Sequence, residues 1–266
     1  MAESISQYPM VDKFLRYLQV EKNTSPLTVK NYAADISLFS NCLAERLGKD
    51  FQWQKIGVLD IRAYLALLNK EKYARTTIAR RISSLRSFYK FLMRENYVEQ
   101  NPFVKVRTPK LEKRLPVFLE ELEINEILTL PDKDTLGLRD QAILELLYAT
   151  GCRVSELVGL TVTNIDLGSQ YVLLLGKGNK ERIVPIGSKA IQALELWIIE
   201  RNHIMQKNLS QSHDYVFTTT TGKQLSRTQI NERVKKLFRD KGITQKSNPH
   251  TLRHTFATHL LSSKVG

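Results

Sequence analysis

The chain has 266 residues, 42% hydrophobic and 25% charged, which is the balance of a soluble globular protein with room for two domains. Its apolar runs are too short to span a bilayer, its start lacks the pattern of a signal peptide, and its two cysteines, Cys42 and Cys152, suggest free thiols in a reducing cytosol rather than a disulfide framework. Lys plus Arg number 40 against 27 Asp plus Glu, a formal net charge of +13, and that excess points to a polyanionic partner, most often nucleic acid.

The first hundred residues read as helices. Over Met10–Val20, Val11, Phe14, Leu15 and Leu18 share one face. Ser25 suits an N-cap and Pro26 a first helical position. From there Val29, Tyr32, Ile36, Phe39 and Leu43 form an apolar stripe that Gly48 closes. Val58–Asn69 is the third expected helix. Ala74–Arg94 is the fourth, with Ile78, Ile82, Leu85, Tyr89 and Leu92 or Met93 inward. Four such helices can bury a small core of their own. The fourth also carries Arg75, Arg80, Arg81 and Arg86. Charge alone leaves two readings, a solvated face or a helix laid on DNA phosphates. The next segment favours DNA. Residues 101–116, "NPFVKVRTPKLEKRLP", hold three prolines and cannot be one regular helix. They also hold Lys105, Arg107 and Lys110, as a linker tracking a phosphate backbone would.

The pattern then changes, giving expected units of residues 1–100 and 117–266 around this linker. Glu120–Leu130 and Leu138–Tyr148 are helical, with Ala142, Ile143, Leu146 and Leu147 buried. "ATGCRVSELVGL" breaks at Gly151 and restarts as a helix. Tyr171–Leu175 and Arg182–Ile186 are β-rich runs around a Gly- and Asn-rich turn. Ser188–Gln206 is a helix. "DYVFTTTTGKQLS" reads as a short strand and a turn. Ser226–Lys241 is a helix studded with Arg227 and Arg233. Last, Asn248 suits an N-cap and Pro249 a first helical residue, which puts His250 in the first turn of a helix. The fold class is therefore mainly α, with two domains: a helical one and an α+β one holding a small antiparallel hairpin.

His250 and Arg253, three residues apart, share a helical face. Arg beside imidazole at a helix start suits a phosphate group with a proton donor or acceptor next to it. A metal centre is the weaker reading. His250 and His254 have i, i+4 spacing, but no Glu stands between them and no Cys is near. Arg153, at a helix start after a glycine turn, and Lys177, at a hairpin tip in "GKGNKER", complete a set of two arginines, one lysine and one histidine. Together they read as a phosphoryl-transfer site without a metal.

In order and context, "ATGCRVSELVGL", "GKGNKERIVPIG" and "HTLRHTFATHLL" resemble the tyrosine recombinases of the phage-integrase family, most closely the bacterial Xer recombinases. "FLRYLQVEKNTSPLTVKNY" and "SSLRSFYKFLMRENYVEQNP" extend the resemblance over nearly the whole chain. It implies a helical, SAM-like core-binding domain and a catalytic domain that clamp double-stranded DNA. It also implies that Arg153 and Arg253 hold the scissile phosphate, Lys177 protonates the leaving 5′-oxygen and His250 assists proton transfer. Glu156 either orients Arg153 or is a plain surface i, i+3 pair. No metal and no cofactor are implied. The resemblance further implies a homo- or hetero-tetramer on DNA, a DNA translocase of the division machinery as a partner, no membrane, and a cytoplasmic role in chromosome dimer resolution. A phage or mobile-element integrase, and an accessory DNA-binding protein without catalysis, are the alternatives. The family's second His or Trp and its Tyr nucleophile would follow Arg253, and the sequence stops at Gly266 before either. That ending is read as a truncation, with cleavage lost.

Overall fold

Proline at the first helical turn starts two of the early helices, where its missing N–H costs nothing. In the computed structural model, which describes residues 8–109, 118–129, 131–132, 134–176, 178, 180–209, 213–243 and 248–262, these are α1 (Pro9–Val20) and α2 (Pro26–Leu47). The Ser25 hydroxyl accepts the Thr28 N–H and caps α2. Then come α3 (Val58–Lys70) and α4 (Arg75–Arg94). The chain divides into two compact units, Met1–Lys113 and Arg114–Gly266.

The first unit is held by the stripes its sequence prescribes. Val11, Phe14, Ile36, Phe39, Leu43, Ile82, Leu85, Tyr89 and Leu92 are buried, and Met93 faces out. Aromatic rings fill the centre, packed edge to face: Trp53 lies 5.1 Å from Phe88, and Phe39 lies 5.5 Å from Phe103. Phe103 belongs to the stretch expected as linker, yet it is fully buried in this core. Arg86 secures the same stretch. Its guanidinium donates to the carbonyls of Phe103 and Val106, at 3.3 and 3.0 Å. Phe103 and Val106 are thus tied to the first unit. Lys110 lies outside the described residues.

The second unit holds α5 (Glu121–Leu128), α6 (Thr135–Thr150), α7 (Val154–Val158), β1 (Ile165–Asp166), β2 (Tyr171–Leu175), β3 (Glu181–Pro185), α8 (Ser188–Lys207), α9 (Arg227–Asp240) and α10 (Pro249–Ser262). The three strands form one antiparallel sheet in the order β1-β2-β3. Helix α6 is its axis, buried on most sides and packed on α8 and α10. The strand expected in "DYVF" is only an isolated bridge between Thr161 and Tyr215. Side chains take carbonyls that a ladder would need: Trp197 donates to Val216 at 2.9 Å, Arg201 to Tyr215 at 2.8 Å and Arg139 to Thr218 at 3.2 Å. Overall the described residues are mainly helical with one small sheet, as the sequence patterns require. No described helix is long and apolar enough to cross a membrane.

Candidate active site

The site is organised around the end of α6. Gly151 terminates that helix in the left-handed region, at φ 55°, where a side chain is strained. A Cβ there would also lie 2.4 Å from the Phe256 ring of α10. Glycine therefore serves twice, for the turn and for the close approach of α10. The chain then enters α7 with Arg153 as its first flanking residue. The Glu156 carboxylate accepts the Arg153 N–H at 2.8 Å, which satisfies a donor that a helix start leaves open.

Glu156 does more than cap. Its carboxylate is nearly buried, with 3% of the side chain exposed, against 51% for Arg153 and 37% for Arg182. Arg182 grips both oxygens, at 3.1 and 2.7 Å. The Arg153 side chain makes one bond, at 3.0 Å. Burial alone would raise the carboxyl's pKa. The bonds from Arg182 and from the Arg153 N–H and guanidinium outweigh it and hold the group at about 2. Glu156 is therefore a fixed negative charge between two arginines, and the reading of a plain surface pair does not describe it. Cys152 lies beside this group but is buried. Burial pushes its thiol up to about 11, against the pull of Arg182 and Arg253, so it is an inert core residue.

Helix α10 supplies the rest. Asn248 accepts the Thr251 N–H at 3.2 Å and starts the helix. His250 is exposed in its first turn. Arg253, one turn on, donates to the Gly151 carbonyl. This brings its guanidinium to the turn that carries Arg153. Two more contacts fix α10 in place. Thr255 accepts the Leu119 N–H at 2.9 Å, and His259 Nδ1 meets the Tyr148 hydroxyl at 3.0 Å. His259 is thus engaged with α6.

Of the expected catalytic residues, Arg153 and Arg253 are brought to one turn and His250 to the same helix as Arg253. Lys177 lies outside the described residues, although the hairpin bearing it is closed by the Gly176 N–H on the Lys180 carbonyl at 2.7 Å. Arg182 is the site residue that sequence reasoning missed. Its signal was the period-two phase of β3: Arg182, Val184 and Ile186 share one face. Arg182 stands opposite the buried Leu174, an inward place for a charge that demands a partner.

The expected DNA-contacting residues separate into two groups. Arg75, Lys105, Arg107 and Arg227 are exposed. Lys110 is outside the described residues, and the other four are engaged within the protein. Arg80 grips buried Asp35 with two nitrogens. Arg81 lies 3.6 Å from Asp35 and stacks on Tyr73 at 3.9 Å. Arg86 holds the carbonyls described above, and Arg233 pairs with buried Asp140.

Comparison with known proteins gives the family. Residues 117–266 match the phage integrase family, and residues 11–96 match the phage integrase N-terminal SAM-like domain. A tyrosine recombinase XerC from Pelotomaculum thermopropionicum is 42% identical over 262 residues, covering 96% of this chain and 86% of that protein. The Bacillus subtilis tyrosine recombinase XerC is 41% identical, covering 95% and 83%. Among solved structures, the XerH site-specific recombinase bound to its palindromic difH substrate superposes with a TM-score of 0.71 at 20% identity. That match covers 96% of this chain and 74% of XerH. The chain belongs to the phage integrase family of tyrosine recombinases.

Proposed function

We propose that this protein is a site-specific recombinase of the Xer kind that exchanges DNA strands in chromosome dimer resolution. The observation that carries the reading is the bond from Arg253 to the Gly151 carbonyl, because it sets two arginines at one helix turn. Two guanidiniums there suit the non-bridging oxygens of one phosphodiester and the charge that grows on them during displacement. His250 is the proton carrier beside them, and Lys177 the acid for the leaving 5′-oxygen. A tyrosine oxygen attacks phosphorus, the 5′-oxygen leaves with a proton, and a 3′-phosphotyrosine link keeps the bond energy for rejoining. The identity to XerC proteins favours the Xer role over integration of a mobile element. Assembly as a tetramer on DNA, a DNA translocase of the division machinery as a partner, and a cytoplasmic place belong to the same proposal. All ten tyrosines of residues 1–266 precede Arg253, so we read this stretch as holding the clamp and proton donors without the attacking oxygen.

A nicked suicide substrate tests the reading. Residues 1–266 should bind the duplex, with affinity falling about 10³- to 10⁵-fold between low and moderate salt if six to ten phosphates are held. A denaturing gel should show no covalent complex. A protein–DNA adduct would place a nucleophile upstream of His250 and overturn the assignment, as would binding that ignores salt.

A further inference from the structure

We infer that Arg182 is a positioning residue that occupies the Glu156 carboxylate and thereby keeps Arg153 available for a phosphate. This rests on the phosphate-binding role proposed above for Arg153 and adds a residue to it.

The bonds on Glu156 are unevenly shared. Arg182 takes both oxygens, whereas the Arg153 side chain has one bond, from one Nη. Five N–H donors are available on a guanidinium, so Arg153 keeps most of its own for another acceptor, and half of its side chain is exposed. Without Arg182 the nearly buried carboxylate would have, among the described residues, Arg153 as its sole side-chain partner. A bidentate pair with Arg153 would then form. That pair is neutral and turns its donors away from a phosphate. With Arg182 present, the group of three carries one net positive charge. The place is also built for this second arginine. Gly176, at the end of β2, would put a Cβ 3.5 Å from Arg182 Nη1 and 3.6 Å from Glu156 Oε1, so the backbone packs directly against the pair. Arg182 reaches it from the inner face of β3, opposite Leu174.

The test is the affinity of residues 1–266 for duplex DNA, measured across a salt series, for Arg182→Met, Arg182→Met with Glu156→Gln, Arg182→Lys and Arg153→Ala. Circular dichroism checks folding. Arg182→Met should weaken binding roughly tenfold to a hundredfold and lower the salt slope by about one phosphate contact. Adding Glu156→Gln should restore most of that loss, since Arg153 then has no charge to pair with. Arg182→Lys keeps the charge and should stay near the parent protein. A merely structural role predicts no rescue from a second substitution at the same cluster. The inference is overturned if Arg182→Met binds as the parent does, or if the double variant binds no better than Arg182→Met. Should Arg182→Met fail to fold, Arg182→Gln, alone and with Glu156→Gln, takes its place in the same comparison. Arg153→Ala separates the two layers. If it leaves binding unchanged, the phosphate role itself fails. If it weakens binding while Arg182→Met does not, only the inference fails.

Discussion

Asp35 and Glu156 are both buried carboxylates held between two arginines, yet they divide their hydrogen bonds in opposite ways. At Asp35 the more exposed arginine, Arg80, is the one gripped by both oxygens, and Ser84 adds a bond at 2.7 Å. Arg81 is packed away, with 13% of its side chain exposed. At Glu156 the more exposed arginine, Arg153, has the single bond, and the less exposed Arg182 takes both oxygens. The first arrangement spends its charges inside the protein and staples α4 to α2. The second leaves a guanidinium facing outward with donors to spare. Counting basic residues on a helix does not distinguish these cases, but counting the carboxylate bonds on each arginine does.

The largest effect should come from Asp35→Ala. It leaves Arg81 shielded from water and without its counter-ion, and breaking a buried pair from one side costs about 3–5 kcal/mol. Urea unfolding should report that loss. Glu156→Ala should cost less, roughly 1–2 kcal/mol, because both of its arginines reach solvent and water screens them. Equal losses at the two sites would break the contrast between staple and clamp.

A smaller effect should appear in acid. The Glu156 carboxyl is held at about 2, against an ordinary 4.5. Because the folded value is depressed, the stabilisation is complete above about pH 4.5 and is lost as pH falls toward 2. The stability difference between the parent protein and Glu156→Gln should therefore shrink across that window and stay constant above it. A difference that grows as the pH drops would contradict the bonding described here.

Much of this was legible in the sequence, for physical reasons. Helical phase placed Phe14, Ile36, Phe39, Ile82 and Leu85 in the core, and Ser25 and Asn248 announced their helix starts. Arg182 was missed, although an arginine in step with Val184 and Ile186 needs a buried partner. What could not be read was the choice of partner. The bond from Arg86 to the carbonyls of Phe103 and Val106 spans 17 and 20 residues, and the pairing of Arg233 with Asp140 spans 93. Such contacts depend on tertiary packing, which local pattern does not encode. For the same reason local pattern did not show that Arg80, Arg81 and Arg86 of α4 are all engaged within the protein. Strand β1 is two residues long, too short to leave a periodic signal.

The central claim is that Arg153 and Arg253 hold one and the same phosphate. A double-mutant cycle tests it most directly, with Arg153→Ala, Arg253→Ala and the pair in residues 1–266, each titrated against duplex DNA at one fixed salt concentration. Two residues that share a ligand are expected to be coupled. Each single variant should lose roughly tenfold or more in affinity, and the double variant should lose clearly less than the product of the two. Losses that simply multiply would place the arginines on separate phosphates and contradict the account, as would the absence of loss in either single variant.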